Sequence, residues 1–212
     1  MARPSLGVRE PYDRVQVNRA AIRLFKERGY DGTSMLHIAR ALGIHKSSLY
    51  HHISGKEQIL DGAVRSALEA LLGMLDEAEA VQGSPLQRLR HVVRRTVQIM
   101  VDQLDEVTVL LRVRGNTPTE RWALERRREF DRRVQRLVEL AAQEGEIRDD
   151  VDAALITRLL FGMSNSITEW YQPGRGMSAD DIAEGILRIC FDGLRRDTRA
   201  ELSAEAHERS RT

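Results

Sequence analysis

The chain has 212 residues, enough for one large domain or two small ones, and 42% of them are hydrophobic, which is enough for a real core. Basic and acidic residues number 33 and 32, a balance that excludes a disordered, highly charged tail protein. The single cysteine, Cys190, excludes an intramolecular disulfide and a cysteine-based zinc site. No run of roughly 18 apolar residues and no apolar leader segment occurs, so we expect a cytoplasmic protein without a membrane partner.

The charge is unevenly distributed along the chain. Residues 1–60 carry ten Lys or Arg and five Asp or Glu, a net charge of +5, in a chain whose overall net charge is +1. The remaining residues therefore form a mildly acidic body behind a basic N-terminal head. This asymmetry indicates a negatively charged partner that binds at one end only.

Helical periodicity dominates the sequence and alternating strand patterns are nearly absent, which predicts an all-α fold. Capping patterns predict helix starts at Ser54, Ser84 and Thr117, with a weaker one at Ser178. Glycines and the proline-glycine pair at 173–174 predict helix ends. The predicted helices cover residues 12–28, 34–41, 45–52, 55–80, 85–104, 105–114, 118–144, 151–171 and 179–197.

Residues 33–53 have the pattern of a helix-turn-helix. Gly43 permits a tight turn between two short helices, and Leu49 and Ile53 anchor the second of them from beneath. Polar residues cover the surface that would face the major groove and the phosphates. The candidate DNA-binding residues are Thr33, Ser34, His45, Lys46, Ser47, Ser48, Tyr50, His51 and Lys56. Taken alone, this spacing also fits an ordinary helical corner.

The histidines near this turn have a second interpretation. His45, His51 and His52 offer imidazoles, which suit zinc, but the i, i+4 spacing of a shared helix face is absent. No carboxylate lies beside them. We therefore expect no metal and no cofactor, and histidines that face solvent or phosphate.

The stretch over residues 15–60 resembles the DNA-binding domain of the TetR family of bacterial transcriptional repressors. The resemblance is carried by residues 21–25, 29–30, 33–34, 38–39, 43–44, 46, 48–52 and 56–57. It implies a homodimer that represses transcription at a palindromic operator of double-stranded DNA and answers to a small-molecule effector. His37 departs from the family, because an acidic residue often completes a capping box with Ser34 at this position, and we expect no such box with histidine here. His37, His45 and Ser47 leave the operator sequence open.

We expect three segments on this basis. Residues 1–54 form the helix-turn-helix domain, residues 55–199 form a helical regulatory and dimerisation domain, and residues 200–212 form a polar tail. The sequence contains no phosphate loop, nucleophile elbow or zinc-protease motif, so we do not expect an enzyme.

Two helices near the C-terminus have broad apolar faces with small residues that permit close crossing, a pattern that favours a dimer seam. The candidate interface residues are Leu159, Gly162, Ser166, Ile182, Ile186, Ile189 and Gly193. In the TetR family the equivalent helix pair forms a four-helix dimer bundle, so the resemblance agrees. The same faces also fit the core of a single chain.

Apolar and aromatic residues of the body suggest a ligand pocket. The candidate ligand-binding residues are Met100, Leu104, Leu111, Trp122, Phe130, Phe161, Asn165, Thr168 and Trp170. Asn165 and Thr168 share a helical face and are suited to the polar end of a ligand. They are equally suited to hydrogen bonds with the backbone or across a dimer.

Residues 160–174, followed by Met177 and Ser178, look like the corresponding helix of TetR-type regulators of fatty-acid and steroid catabolism. Several members of that group release DNA when they bind an acyl-coenzyme A, so the resemblance implies such an effector. Ser164, Ser166 and Glu169 depart from the group. The alternatives are a smaller apolar or drug-like effector, or a DNA-binding protein that needs no ligand.

Overall fold

The computed structural model describes residues 13–194, and all regular secondary structure in that range is helical, which confirms the all-α fold. The eleven α-helices of this range are α1 (Arg14–Arg28), α2 (Met35–Leu42), α3 (Lys46–Leu49), α4 (Lys56–Gly73), α5 (Ala78–Val81), α6 (Pro85–Asp102), α7 (Leu104–Arg112), α8 (Pro118–Gln143), α9 (Ala153–Asn165), α10 (Ile167–Trp170) and α11 (Ala179–Leu194). The predicted polar tail over residues 200–212 lies outside the described residues.

Three of the predicted helix starts are confirmed. The side chain of Ser84 accepts the N–H of Gln87 at the start of α6, and Thr117 accepts that of Glu120 at the start of α8. In both cases the side chain three residues on accepts the cap's own N–H, which completes the capping box. Before α11, Ser178 exchanges the same pair of hydrogen bonds with Asp181.

The capping box predicted at Ser54 is wrong. Gly55 occupies the cap position of α4 and makes no side-chain hydrogen bond. Ser54 instead donates its N–H and its hydroxyl to the Oε1 atom of Gln58, at 2.9 and 3.0 Å. The glutamine reaches back one residue further than a capping box requires, so the serine is bound by the first turn of the helix from a position before the cap.

Two predicted long helices are divided in the structure. The segment over 55–80 leaves the α-helix after Gly73, continues as a 3₁₀ turn over Met74–Asp76 and resumes as α5. The segment over 151–171 breaks at Ser166, between α9 and α10. The hydroxyls of Ser164, Ser166 and Thr168 donate to carbonyls three or four residues earlier, which competes with a regular helix.

The packing joins the head to the body through α4 and α7. Helix α1 contacts α2, α4 and α7, while α4 continues into the body against α6, α7 and α8. Helix α8 packs against α6 and α9, and α11 lies along α6. The buried apolar residues form one continuous core that includes residues of the head, of α7 and of the body. Because such a core is close-packed, a displacement of α7 would also shift residues of the head. No helix between residues 13 and 194 has the length and apolar character that a bilayer crossing requires.

Candidate DNA-binding surface and ligand cavity

The turn between α2 and α3 has the geometry of a helix-turn-helix. Gly43 ends α2 in the left-handed conformation, with φ 68° and ψ 31°, which a side chain would disfavour. The N–H of Ile44 then bonds the carbonyl of Ala39 at 3.0 Å. Leu49 and Ile53 are buried beneath α3, with 0% and 3% exposure, as the sequence predicts.

The start of α2 corrects one expectation. Ser34 accepts the N–H of His37, and the Nδ1 atom of His37 accepts the N–H of Ser34 at 3.3 Å. The histidine therefore completes the capping box, and the expectation that it does not is wrong. This arrangement places the ring proton of a neutral His37 on Nε2.

Thr33 lies in the core of the head rather than on its surface. Its side chain is 2% exposed, and its hydroxyl donates to the carbonyls of Gly29 at 2.8 Å and Leu24 at 3.3 Å. The hydroxyl is therefore not available to a phosphate. The expectation that Thr33 contacts DNA through this group is wrong, and the residue holds the end of α1 against the start of α2.

Lys56 also points inward. Its ammonium group donates to the carbonyls of Tyr30 at 2.8 Å and Thr33 at 3.0 Å, and it lies 4.0 Å from the centroid of the Tyr30 ring. Burial raises the pKa of Tyr30 to about 12, with nearby acidic groups adding to the effect. Lys56 therefore fixes the loop that precedes α2, which is a positioning role beside the phosphate contact that the sequence predicts.

The other predicted DNA-binding residues form one open surface. His45, Lys46, Ser47, Tyr50 and His51 are exposed, and Ser48 is half-buried. The ammonium of Lys46 lies 5.9 Å from the centroid of the Tyr50 ring. Lys46, Ser47 and Ser48 stand on α3, the short helix that enters the major groove in helix-turn-helix proteins. The other three residues lie directly before and after this helix, so a basic and several polar groups are available there together.

The body contains a small, partly open cavity of about 50 Å³. It lies between α4, α6, α7, α8 and α9. The residues that line it are Leu68, Leu71, Thr96, Met100, Val107, Leu110, Leu111, Arg127, Phe130, Asp131, Phe161 and Asn165. The rings of Phe130 and Phe161 meet edge to face across it, with centroids 5.1 Å apart. Five of the predicted ligand-binding residues, including Asn165, are brought together here.

Four of the predicted ligand-binding residues lie elsewhere. Leu104 borders a groove between head and body. The ring of Trp122 lies against the guanidinium of Arg65, and the Cζ atom of the arginine is 4.1 Å from the ring centroid. The hydroxyl of Thr168 donates to the carbonyl of Asn165, and Trp170 is 48% exposed. Asn165 lines the cavity as predicted, whereas Thr168 does not, because its hydroxyl is bound to the backbone carbonyl of Asn165.

Two charged residues on the cavity wall were not predicted from the sequence. Arg127 donates to the carbonyl of Leu110 at 3.3 Å, and burial lowers the pKa of its guanidinium. Asp131 is exposed to solvent at the outer edge of the cavity. Desolvation raises the pKa of its carboxyl, and the positive charges of Arg127 and Arg158 act in the opposite direction. Their spacing of four with the buried Phe130 between them is the sequence pattern that indicates a shared inward face.

An exposed apolar surface runs over α9 and α11, which we call the seam surface. Leu155, Leu159 and Ile189 are 47%, 62% and 69% exposed, and Gly162, Ser166 and Gly193 are exposed beside them. The other two residues predicted for the dimer interface, Ile182 and Ile186, are 5% and 7% exposed and belong to the core of the single chain. The inward face of α11 packs on α6. The exposed face of α11 therefore contains Ile189 but not Ile182 and Ile186, which the sequence placed on the same face.

The three histidines near the turn do not form a metal-binding group among the residues that the structure describes. Glu77, Glu79 and His91 have potential ligand atoms within 4.8 Å of one another. However, Arg95 donates to both carboxylate oxygens of Glu77, and this contact lowers the pKa of Glu77. A cationic side chain therefore already compensates this carboxylate.

A helix-turn-helix with an exposed basic and polar surface, joined to a helical body that contains a small cavity, defines a DNA-binding regulatory protein. Comparison with known proteins agrees. Residues 18–63 match the family described as bacterial regulatory proteins of the tetR family, and residues 82–194 match a tetracyclin repressor-like C-terminal domain. The chain belongs to the TetR family of transcriptional repressors. Both matched families are those of DNA-binding regulators rather than enzymes.

Individual relatives match along most of their length. The transcriptional repressor KstR2 of Rhodococcus jostii is 30% identical over 184 residues, which are 85% of this chain and 90% of that protein. The crystal structure of SCO3833, a TetR-family member from Streptomyces coelicolor, is 52% identical with a TM-score of 0.80, covering 89% and 94% of the two chains. AibR, in complex with isovaleryl coenzyme A and operator DNA, is 27% identical with a TM-score of 0.69, covering 84% and 97%.

The positions of Thr33 and Lys46 predict opposite effects of substitution. Thr33→Val removes a buried hydroxyl with two acceptors, so we expect a loss of about 1–2 kcal/mol in the free energy of unfolding and an unchanged salt dependence of DNA binding. Lys46→Ala should leave stability unchanged and lower the slope of log K against log salt by about 1, because one phosphate contact is lost. Urea unfolding and fluorescence anisotropy at several salt concentrations measure the two quantities. An equal loss of salt slope in both variants would show that Thr33 contacts DNA.

Proposed function

We propose that the protein is a homodimeric repressor that binds a palindromic operator and is released from it by a small ligand, with an acyl-coenzyme A as the favoured effector. The observation that carries the proposal is the position of α7. One side of this helix lines the cavity with Val107, Leu110 and Leu111, and the other side contacts α1 of the DNA-binding head. A ligand that changes the cavity therefore acts on the head through a single helix.

Polar contacts attach α7 to the head at both ends. Near the start of α7, the carboxylate of Asp105 forms an ion pair with Lys26 of α1 and accepts a hydrogen bond from its ammonium group, with 2.8 Å between Oδ1 and Nζ. At its end, the guanidinium of Arg112 donates to the carbonyl of Lys26 and lies 3.7 Å from the carboxylate of Glu169 in α10. A movement of α7 therefore changes the orientation of α1, and with it the spacing of the two heads in a dimer.

The seam surface supports the dimer. Leu155, Leu159 and Ile189 are apolar and face solvent in the single chain, and exposed Gly162 and Gly193 permit a close approach of a second pair of helices. Two copies related by a two-fold axis would cover each other's surface. Such symmetry matches a palindromic operator, whose half-sites are about 34 Å apart.

The cavity supports a ligand with a small apolar group and a polar attachment. A volume of about 50 Å³ holds only a few non-hydrogen atoms, well below the roughly 300 Å³ of a pocket for a drug-sized molecule. Arg127, Asp131 and Asn165 offer hydrogen bonds at its wall. A short acyl group with its carbonyl fits this description, and the structural relative AibR was crystallised with isovaleryl coenzyme A. A smaller apolar effector is the second candidate, because it would use the same cavity without the coenzyme A part.

A charged residue on the seam surface should separate the dimer. Leu159→Glu combined with Ile189→Glu places carboxylates where a second copy would bury them, so we expect monomers and a loss of tight operator binding with the helix content retained. Leu140→Glu on α8, where the leucine is 36% exposed, is the matched control and should stay dimeric. Sedimentation velocity and circular dichroism measure both. A dimer that persists in the double variant would remove these helices from the interface.

Titration of the operator complex tests the effector. An operator fragment selected from random DNA is bound to the protein, and isovaleryl coenzyme A, free coenzyme A and isovalerate are added in turn. We expect release by the thioester at lower concentration than by either of its parts, because only the thioester offers both the acyl group and the coenzyme. Release by the free acid but not by the thioester would support the smaller effector, and no release by any of the three would contradict an acyl-type effector.

A further inference from the structure

A second and larger depression lies between the head and the body, close to the cavity. We call it the arginine groove. Its volume is about 650 Å³, and its walls come from the end of α1, the loop before α2, the end of α7 and the start of α8. Three arginines line it, namely Arg28, Arg112 and Arg114. Nothing in the DNA-binding surface or in the cavity accounts for this concentration of positive charge.

Two of these arginines have no internal partner. The guanidinium groups of Arg28 and Arg114 are on exposed residues and make no hydrogen bond or ion pair with any residue in the range 13–194. Arg112, in contrast, holds the carbonyl of Lys26 and faces Glu169. Arg28 and Arg114 therefore remain available to an external anion, and guanidinium groups bind phosphates through paired hydrogen bonds.

The acidic residues of the groove are already compensated. Glu120 is 3% exposed, and its carboxylate accepts the backbone N–H groups of Arg114, Asn116 and Thr117. Asp31 accepts a hydrogen bond from the side-chain amide of Asn116 at 2.7 Å. These donors stabilise the two negative charges, which reduces their repulsion of an anionic ligand.

Several carbonyl groups at the end of α1, which would also repel an anion, accept hydrogen bonds from nearby groups. The Thr33 hydroxyl binds the carbonyls of Leu24 and Gly29, and the N–H of Gly29 binds that of Phe25. The guanidinium of Arg112 binds the carbonyl of Lys26. These donors, and above all the positive charge of Arg112, reduce the negative potential at the end of α1 where the groove begins.

The arginine groove and the cavity share one wall. Leu111, which is half-buried, lines both of them. On α4, Leu60 borders the groove and Leu68 borders the cavity, two turns apart, which is about 12 Å along the helix. A single ligand that displaces the Leu111 side chain would place an apolar end in the cavity and a charged end in the groove.

The geometry points to the arginine groove as the site for the phosphate groups of the effector, held by Arg28 and Arg114, while the acyl group occupies the cavity. This inference rests on the proposed function, because it assigns a second part to the same ligand. It gives the effector a direct contact with the head, since Arg28 belongs to α1 and Arg114 to the loop after α7. The ligand class is a thioester or other apolar acyl compound that carries several phosphates.

Calorimetric titration of the full chain without DNA tests the site. The probes are coenzyme A, isovaleryl coenzyme A and isovaleryl-N-acetylcysteamine, a thioester with the same acyl group and no phosphate. The Arg28→Ala, Arg114→Ala double variant should bind both coenzyme A probes about tenfold more weakly or worse, and should bind the phosphate-free thioester within about twofold of the unmodified chain.

Arg132→Ala with Arg136→Ala is the matched control, because both arginines are on α8, lie on another part of the surface, and have no partner among the described residues. It removes the same charge and should keep the affinity for coenzyme A within about twofold. An equal loss in the control, unchanged binding in the Arg28/Arg114 variant, or no binding of coenzyme A to the unmodified chain would overturn the inference. If coenzyme A binds through the two arginines but no thioester releases the operator, the groove stands and the proposed effector function fails.

Discussion

The structure depends on the packing of α7, which lies between the cavity of the body and helix α1 of the head. On one side, Val107, Leu110 and Leu111 complete the wall of the cavity, and on the other side the helix contacts α1. The Lys26–Asp105 ion pair and the Arg112–Lys26 hydrogen bond fix its two ends to the same helix of the head. Because protein interiors are close-packed, α7 cannot yield to a change in the cavity without moving against α1. This constraint joins the two functional surfaces of the chain.

Polar groups in and near the core have mainly a positioning role. Thr33 and Lys56 bind carbonyls on either side of the turn that leads into α2, so the position of this helix is held by hydrogen bonds made within the head. Glu120 organises the loop between α7 and α8 in the same way, through three backbone N–H groups. A buried acceptor of this kind is costly to remove, since its donors would lose their partners. Such residues therefore set the geometry on which the exposed contacts depend.

The sequence predicts features that depend on neighbouring residues, such as helix caps and turns. It does not predict which face of a helix is buried when an element distant in the chain covers that face. The starts of α6 and α8 follow from Ser84 and Thr117, because a capping box involves only four residues. The turn at Gly43 is equally local. By contrast, Thr33 looks like a free hydroxyl until its partners Leu24 and Gly29 are placed. Ile182 and Ile186 face the core because α11 packs along α6, which periodicity cannot show. Thr168 does not line the cavity beside Asn165, because its hydroxyl binds the carbonyl of Asn165.

The most direct test of the account is a change of bulk at Val107, which lies on α7, is 2% exposed and lines the cavity. Val107→Trp adds a ring that the cavity cannot hold without displacement of α7, whereas Val107→Ala removes bulk at the same position. Operator affinity is measured by fluorescence anisotropy, with sedimentation and thermal melting to confirm an intact, folded assembly. If α7 connects the cavity to the head, the Trp variant binds the operator about fivefold more weakly or worse and the Ala variant binds within about twofold of the unmodified chain. Unchanged operator affinity in a folded Trp variant, or an equal loss in both, would contradict the account.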